Sequence, residues 1–143
     1  MTSIRQILAR KPDVYSIGPE ATVLDALRVM EQKNVGALLV MSGAEIVGIF
    51  SERDYARKLV LHGRSSRDTP LRDVMTGNVF VISPDTSAGE CMVNMTERRV
   101  RHLPVVEDAR VVGVISIGDV VRAVIEDLRF SIEQLESYIQ RGG

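Results

Sequence analysis

The sequence predicts a mixed α/β fold (α+β): a tandem pair of β-α-β-β-α repeats related by a pseudo-two-fold axis, with a C-terminal helical extension. Three observations lead there. Shifted by 65, residues 14–60 align with residues 79–125 without a gap, and thirteen of the 47 pairs are identical. Inside each copy, short β-rich apolar runs alternate with stretches whose apolar residues recur at helical spacing. Past the second copy the helical spacing continues. Two copies are too few for a solenoid, so they are read as half-domains facing each other. The chain is accordingly one paired domain over 1–143: repeat one 14–60, linker 61–78, repeat two 79–125 and a helical extension 126–140.

The elements follow in order. "SIRQILAR" is a short amphipathic helix, and "PLRDVMT" in the linker rhymes with it as a lead-in to the next repeat. "VYSI" and "VFVI" are strands, stopped by Gly18-Pro19 and Ser83-Pro84. Thr22 and Ser87 suit N-cap positions, with Asp25 and Glu90 three residues on, near a capping box. Val23, Leu24, Leu27, Met30 and Val35 then recur at helical spacing, as do Met92, Met95 and Val100. "ALLVM" and "HLPVV" are buried strands, "SGAE" and "EDAR" hairpin turns, and "IVGIF" and "VVGVI" the return strands. Ser51 and Ser116 stand where strand yields to helix. The last helical stripe runs through Val124, Leu128, Ile132, Leu135 and Ile139, and needs a surface to pack on.

Composition narrows the function classes. A net charge of −1 carries no footprint for nucleic acid or an anionic membrane. No apolar run reaches the roughly 18 residues of a membrane span, and no signal peptide is read. The single Cys91 excludes an internal disulfide and fits a cytoplasmic protein. His62 and His102 are isolated, without metal-ligand spacing, and no phosphate-binding glycine loop or nucleophile elbow is present. The expectation is a protein without enzymatic activity, metal or catalytic cofactor.

One pattern exceeds the needs of a core. "GIFSERD" (48–54) and "GVISIGD" (113–119) both read Gly, two apolar residues, Ser, two variable residues, Asp. Helix capping explains the serines, and the dipole favours a carboxylate in the first turn. A capping box, however, prefers Glu or Gln at that place, so Asp in both copies asks for a further reason. A carboxylate accepts from the two hydroxyls of a ribose, and the glycine lets another backbone approach.

With these motifs the sequence resembles the CBS-domain pair, tandem domains of the cystathionine β-synthase type, over residues 14–125. The resemblance implies adenine nucleotides (AMP, ADP, ATP or NAD) bound in two pockets, a regulatory role and a homodimer. Carried over by position, one pocket takes Ser51, Arg53 and Asp54 with Val81, Ile82, Thr86, Val100, Arg101, His102 and Pro104. The other takes Ser116, Gly118 and Asp119 with Ser16, Ile17, Ala21, Val35, Gly36 and Ala37. Arg53, Arg101 and His102 would bring positive charge to phosphates in the first pocket, whereas the second has Gly118, Gly36 and Ala37 there and little fixed charge. The output falls to an unknown partner protein or to the dimer itself. The rival reading is a protein-interaction module with the same fold and unfilled pockets.

Overall fold

The computed structural model describes residues 1–11 and 13–142, which form two compact units. Residues 14–80 make one. Residues 1–13 with 81–143 make the other, so the N-terminal segment belongs with the second repeat.

In the unit of residues 14–80, β1 (Ser16–Ile17) runs parallel to β2 (Ala37–Ser42), which pairs antiparallel with β3 (Glu45–Ser51). Between them lies α2 (Val23–Lys33). Thr22 caps α2 and forms a reciprocal box with Asp25, and Asn34 ends it in the left-handed conformation at φ 53°. The buried side of α2 (Val23, Ala26, Met30) meets Leu38, Val40 and Phe50 from the sheet, and Leu71 and Val74 from the linker close the core. After β3 the chain makes a single turn, α3 (Glu52–Asp54), then winds as a π-helix over Tyr55–Leu59 and a 3-10 turn over Val60–His62. The regular helix expected there is not formed.

In the other unit, α1 (Ile4–Leu8) precedes the second copy, which contributes α4 (Ala88–Arg98), β4 (His102–Glu107), β5 (Arg110–Ser116) and α5 (Ile117–Gly142). The register matches the first copy residue for residue. Ala37 pairs with Ser51 as His102 does with Ser116, and both hairpins are irregular at the same place, Val40/Met41 and Val105/Val106. The expected strand "VFVI" is reduced to one parallel bridge, Ile82 to Val105, at the equivalent of the Ile17–Val40 pair. The turns diverge: Asp108 and Ala109 both have positive φ, as a type I′ turn demands, where the first copy uses Gly43.

The lead-in segments explain the glycine repeated in both motifs. A Cβ on Gly48 would meet Met75 and the Thr76 carbonyl; one on Gly113 would collide with Leu8. The approaching group is thus the lead-in helix or turn, packed flat on the return strand.

Candidate functional site

Both Ser-x-x-Asp motifs occupy the same joint, where a return strand ends and a helix starts. The Ser51 amide donates to Asp54 Oδ2 at 2.9 Å, and the Asp54 amide donates back to Ser51 Oγ at 3.2 Å. Ser116 and Asp119 repeat this at 3.0 and 3.2 Å. Each serine hydroxyl also donates to the same Oδ2, at 3.1 and 2.8 Å. These are reciprocal capping boxes. The expectation that capping leaves Asp unexplained is therefore corrected: the aspartates close the boxes, as Asp25 does for Thr22.

The second carboxylate oxygen separates the copies. Asp54 Oδ1 accepts from Thr76 Oγ1 at 3.0 Å and lies 3.1 Å from Lys58 Nζ. Two partners on each oxygen fill the roughly four acceptor sites of a carboxylate, and the residue is buried. At Asp119 the partners gather on Oδ2, which also accepts from Lys11 Nζ at 2.5 Å. Among the described residues no hydrogen bond is recorded to its Oδ1. Lys11 and Thr76 are themselves 65 residues apart, so equivalent lead-in positions supply an ammonium to one motif and a hydroxyl to the other.

Charge around the second motif differs from expectation. Burial alone would raise the Asp119 carboxyl, but hydrogen bonds from Lys11 and Ser116 outweigh it and hold the group below its usual range. A cleft of about 590 Å³ opens beside it, between α1 and the start of α5, with Arg10, Lys11 and Arg122 among its walls and Gln6 and Glu126 nearby. The second motif therefore has fixed positive charge, from the lead-in segment and from α5. Burial, with Lys11 and Arg101 adding to it against the pull of Asp119, lowers the pKa of His102.

Of the remaining predicted residues, those that open the second strand of each repeat fall beside the motif of their own repeat. Ala37 faces Ser51 across the ladder, and the Gly36 carbonyl accepts from the Glu52 amide at 3.1 Å, with Val35 preceding. His102 faces Ser116, and the Arg101 carbonyl accepts from the Ile117 amide at 2.8 Å, with Val100 preceding. Ser16 and Ile17 form β1, and Ala21 precedes the α2 cap. Val81 is exposed, while Ile82 and Pro104 are buried and joined by a backbone bond of 3.0 Å. Thr86 accepts at its carbonyl from the Ile4 amide. Arg53 and Gly118 are exposed at the first turn of each helix. Lys11, Arg10, Arg122 and Thr76 were not among the predicted site residues.

A duplicated unit with an equal Ser–Asp joint in each half defines the class, and comparison with known proteins agrees. The CBS domain model matches residues 4–61 and 71–126. The chain belongs to the CBS-domain family. It is 44% identical over 126 residues to the mitochondrial CBS domain-containing protein CBSX3 of Arabidopsis thaliana, covering 85% of this chain and 61% of that protein, so the chain spans less than two-thirds of this relative. A CBS-domain protein of Burkholderia ambifaria superposes with a TM-score of 0.84 at 47% identity, covering 88% of this chain and 96% of that one. The CBS-domain protein of Agrobacterium tumefaciens gives 0.80 at 34%, covering 85% and 98%. Modules of this family are regulatory and generally bind adenine nucleotides. Among the described residues no helix is long and apolar enough to cross a membrane.

Proposed function

We propose that the chain is a non-catalytic sensor of adenine nucleotides (AMP, ADP, ATP or NAD) that acts through a partner protein or its own dimer, with the motif at Asp119 as the readier anchor. The observation that carries this is the unequal state of the two carboxylates. Among the described residues nothing donates to Asp119 Oδ1, and the carboxylate sits at a cleft with three cations, so ribose hydroxyls can donate to it while phosphates meet Lys11, Arg10 and Arg122. Asp54 must first release Thr76 or Lys58. The grouping of each motif with strand residues of the other repeat, Val81 to Pro104 for Asp54 and Ser16 to Ala37 for Asp119, is part of the proposal and rests on the family resemblance. Cys91 offers no nucleophile, since burial pushes its thiol up to about 11.

Calorimetry with AMP, ADP, ATP, NAD and adenosine tests the reading. Asp119→Ala should weaken the tighter site by about 1.5–3 kcal/mol, the worth of hydrogen bonds to a charged group. Asp54→Ala should leave that site unchanged. Lys11→Ala should cost ATP more than adenosine. No heat and no thermal shift with any of these ligands would instead support an interaction module with unfilled pockets, a reading that the saturated Asp54 already favours for the first motif.

A further inference from the structure

Each Ser–Asp motif is met by a lysine, and the two lysines arrive from different sides. At the first motif it is Lys58, four residues past Asp54 on the π-wound segment Tyr55–Leu59. At the second it is Lys11, from the lead-in segment. The repeat makes the exchange plain. Sixty-five residues beyond Lys58 stands Ala123, and sixty-five beyond Lys11 stands Thr76. Ala123 is buried and lines the cleft beside Asp119, so at the place of Lys58 the second helix carries only a methyl group. The π-turn has no counterpart there either, since α5 is regular from Ile117 onward.

The side of arrival decides which carboxylate oxygen is taken. In both motifs Oδ2 is committed to the capping box, accepting from the serine amide and hydroxyl. Lys11 joins that same oxygen and donates also to the Val114 carbonyl at 2.8 Å. Among the described residues two acceptors are recorded for its three N–H groups, which leaves one for a ligand. Lys58 instead lies 3.1 Å from Oδ1 of Asp54 and donates to the Val74 carbonyl at 3.0 Å and to Thr76 Oγ1 at 3.3 Å. Three acceptors meet its three donors. An ammonium of the chain's own thus stands where a sugar hydroxyl would have to donate. It gives up only side-chain freedom to be there, whereas a ligand from solution also loses translation and rotation.

We propose that Lys58 is a specificity-determining residue: an internal cation that occupies the first motif and confines the nucleotide to the second, one per chain. This rests on the reading of Asp119 as the nucleotide anchor. Calorimetry of the full chain with adenosine and with ATP tests it. The unaltered protein should take up one equivalent, lost in Asp119→Ala. Lys58→Ala should tighten the first motif by about ten- to a hundredfold, the worth of a hydrogen bond to a charged group, and so bring a second equivalent. Adding Asp54→Ala should abolish that second equivalent. Lys58→Met keeps the stem for packing and removes only the charge; it should give the same gain, and it decides the matter if the alanine variant unfolds. Lys58→Ala/Thr76→Lys rebuilds the arrangement of Lys11 at the first motif, and its new site should prefer ATP over adenosine by about tenfold more than that of Lys58→Ala alone. Two equivalents in the unaltered chain, or no gain in either Lys58 variant while the Asp119 site binds, would overturn the role of Lys58 and leave the nucleotide reading standing. An unaltered chain that binds neither ligand, with Lys58→Ala binding at Asp54, would uphold the role of Lys58 at Asp54 and overturn Asp119 as the anchor. Binding in none of these proteins would overturn both.

Discussion

At the scale of single residues, His102 and Asp119 tie stability to pH with the same sign. Both have lowered folded pKa values, so the unfolded chain takes up the proton first as pH falls. The His102 contribution is complete above about pH 6.5 and is lost as pH falls through its lower folded value; that of Asp119 is lost only in the acid range below its usual 3.8. Urea midpoints should therefore fall between pH 7.5 and 5.5, and His102→Gln should flatten that difference. An unchanged slope in the variant would assign the dependence elsewhere. The motif residues Ser51, Asp54, Ser116 and Asp119 were legible because they repeat. Lys11 and Thr76 were not, although they obey the same offset of 65. They lie three residues before the aligned stretches, where the residue types differ and identity gives no signal.

At the scale of elements, capping and turn chemistry carried most of the fold into view. Thr22, Ser51 and Ser116 start helices as their spacing implied, and Gly43 marks its turn. What stayed hidden was set by packing. The π-wound Tyr55–Leu59 segment and the reduction of the second first strand to the Ile82–Val105 bridge leave no periodicity mark. The second hairpin turn contains a stabilising opportunity. Ala109 holds φ 62°, a conformation costing an L-residue about 1–2 kcal/mol, and glycine removes most of that cost. Ala109→Gly should raise the melting temperature by a few degrees; a decrease would show that the alanine side chain supports the turn. The reverse change at the motif, Gly113→Ala, forces Leu8 aside and should cost about 1–3 kcal/mol.

For the whole molecule, the informative fact is where residues 1–11 belong. The Ile4 amide donates to the Thr86 carbonyl, the Ala88 amide to the Thr2 carbonyl, Leu8 covers Gly113 and Lys11 reaches Asp119. Ile4 is fully buried. Removing residues 1–11 should therefore raise amide hydrogen exchange in β4, β5 and the first turns of α5, while α2 and β2 keep their protection. Faster exchange over 14–80 as well would mean that the two units unfold together.

The same attachment sets an order for biosynthesis. Thr2 and Asp127 bond across 125 positions, and Lys11 and Asp119 across 108. Residues 1–11 leave the ribosome before residues 14–80 and must wait for residues as far on as Asp127 before their binding surface exists. Residues 14–80 face no such wait, since the described residues of their core cluster lie within that span. A domain generally folds as a unit once it has emerged, so this part can be complete while the N-terminal segment is still unattached. The loop that must finally close is then not a loose coil of a hundred residues. A folded body already takes up most of it, which shortens the flexible path and lowers the entropy of closure.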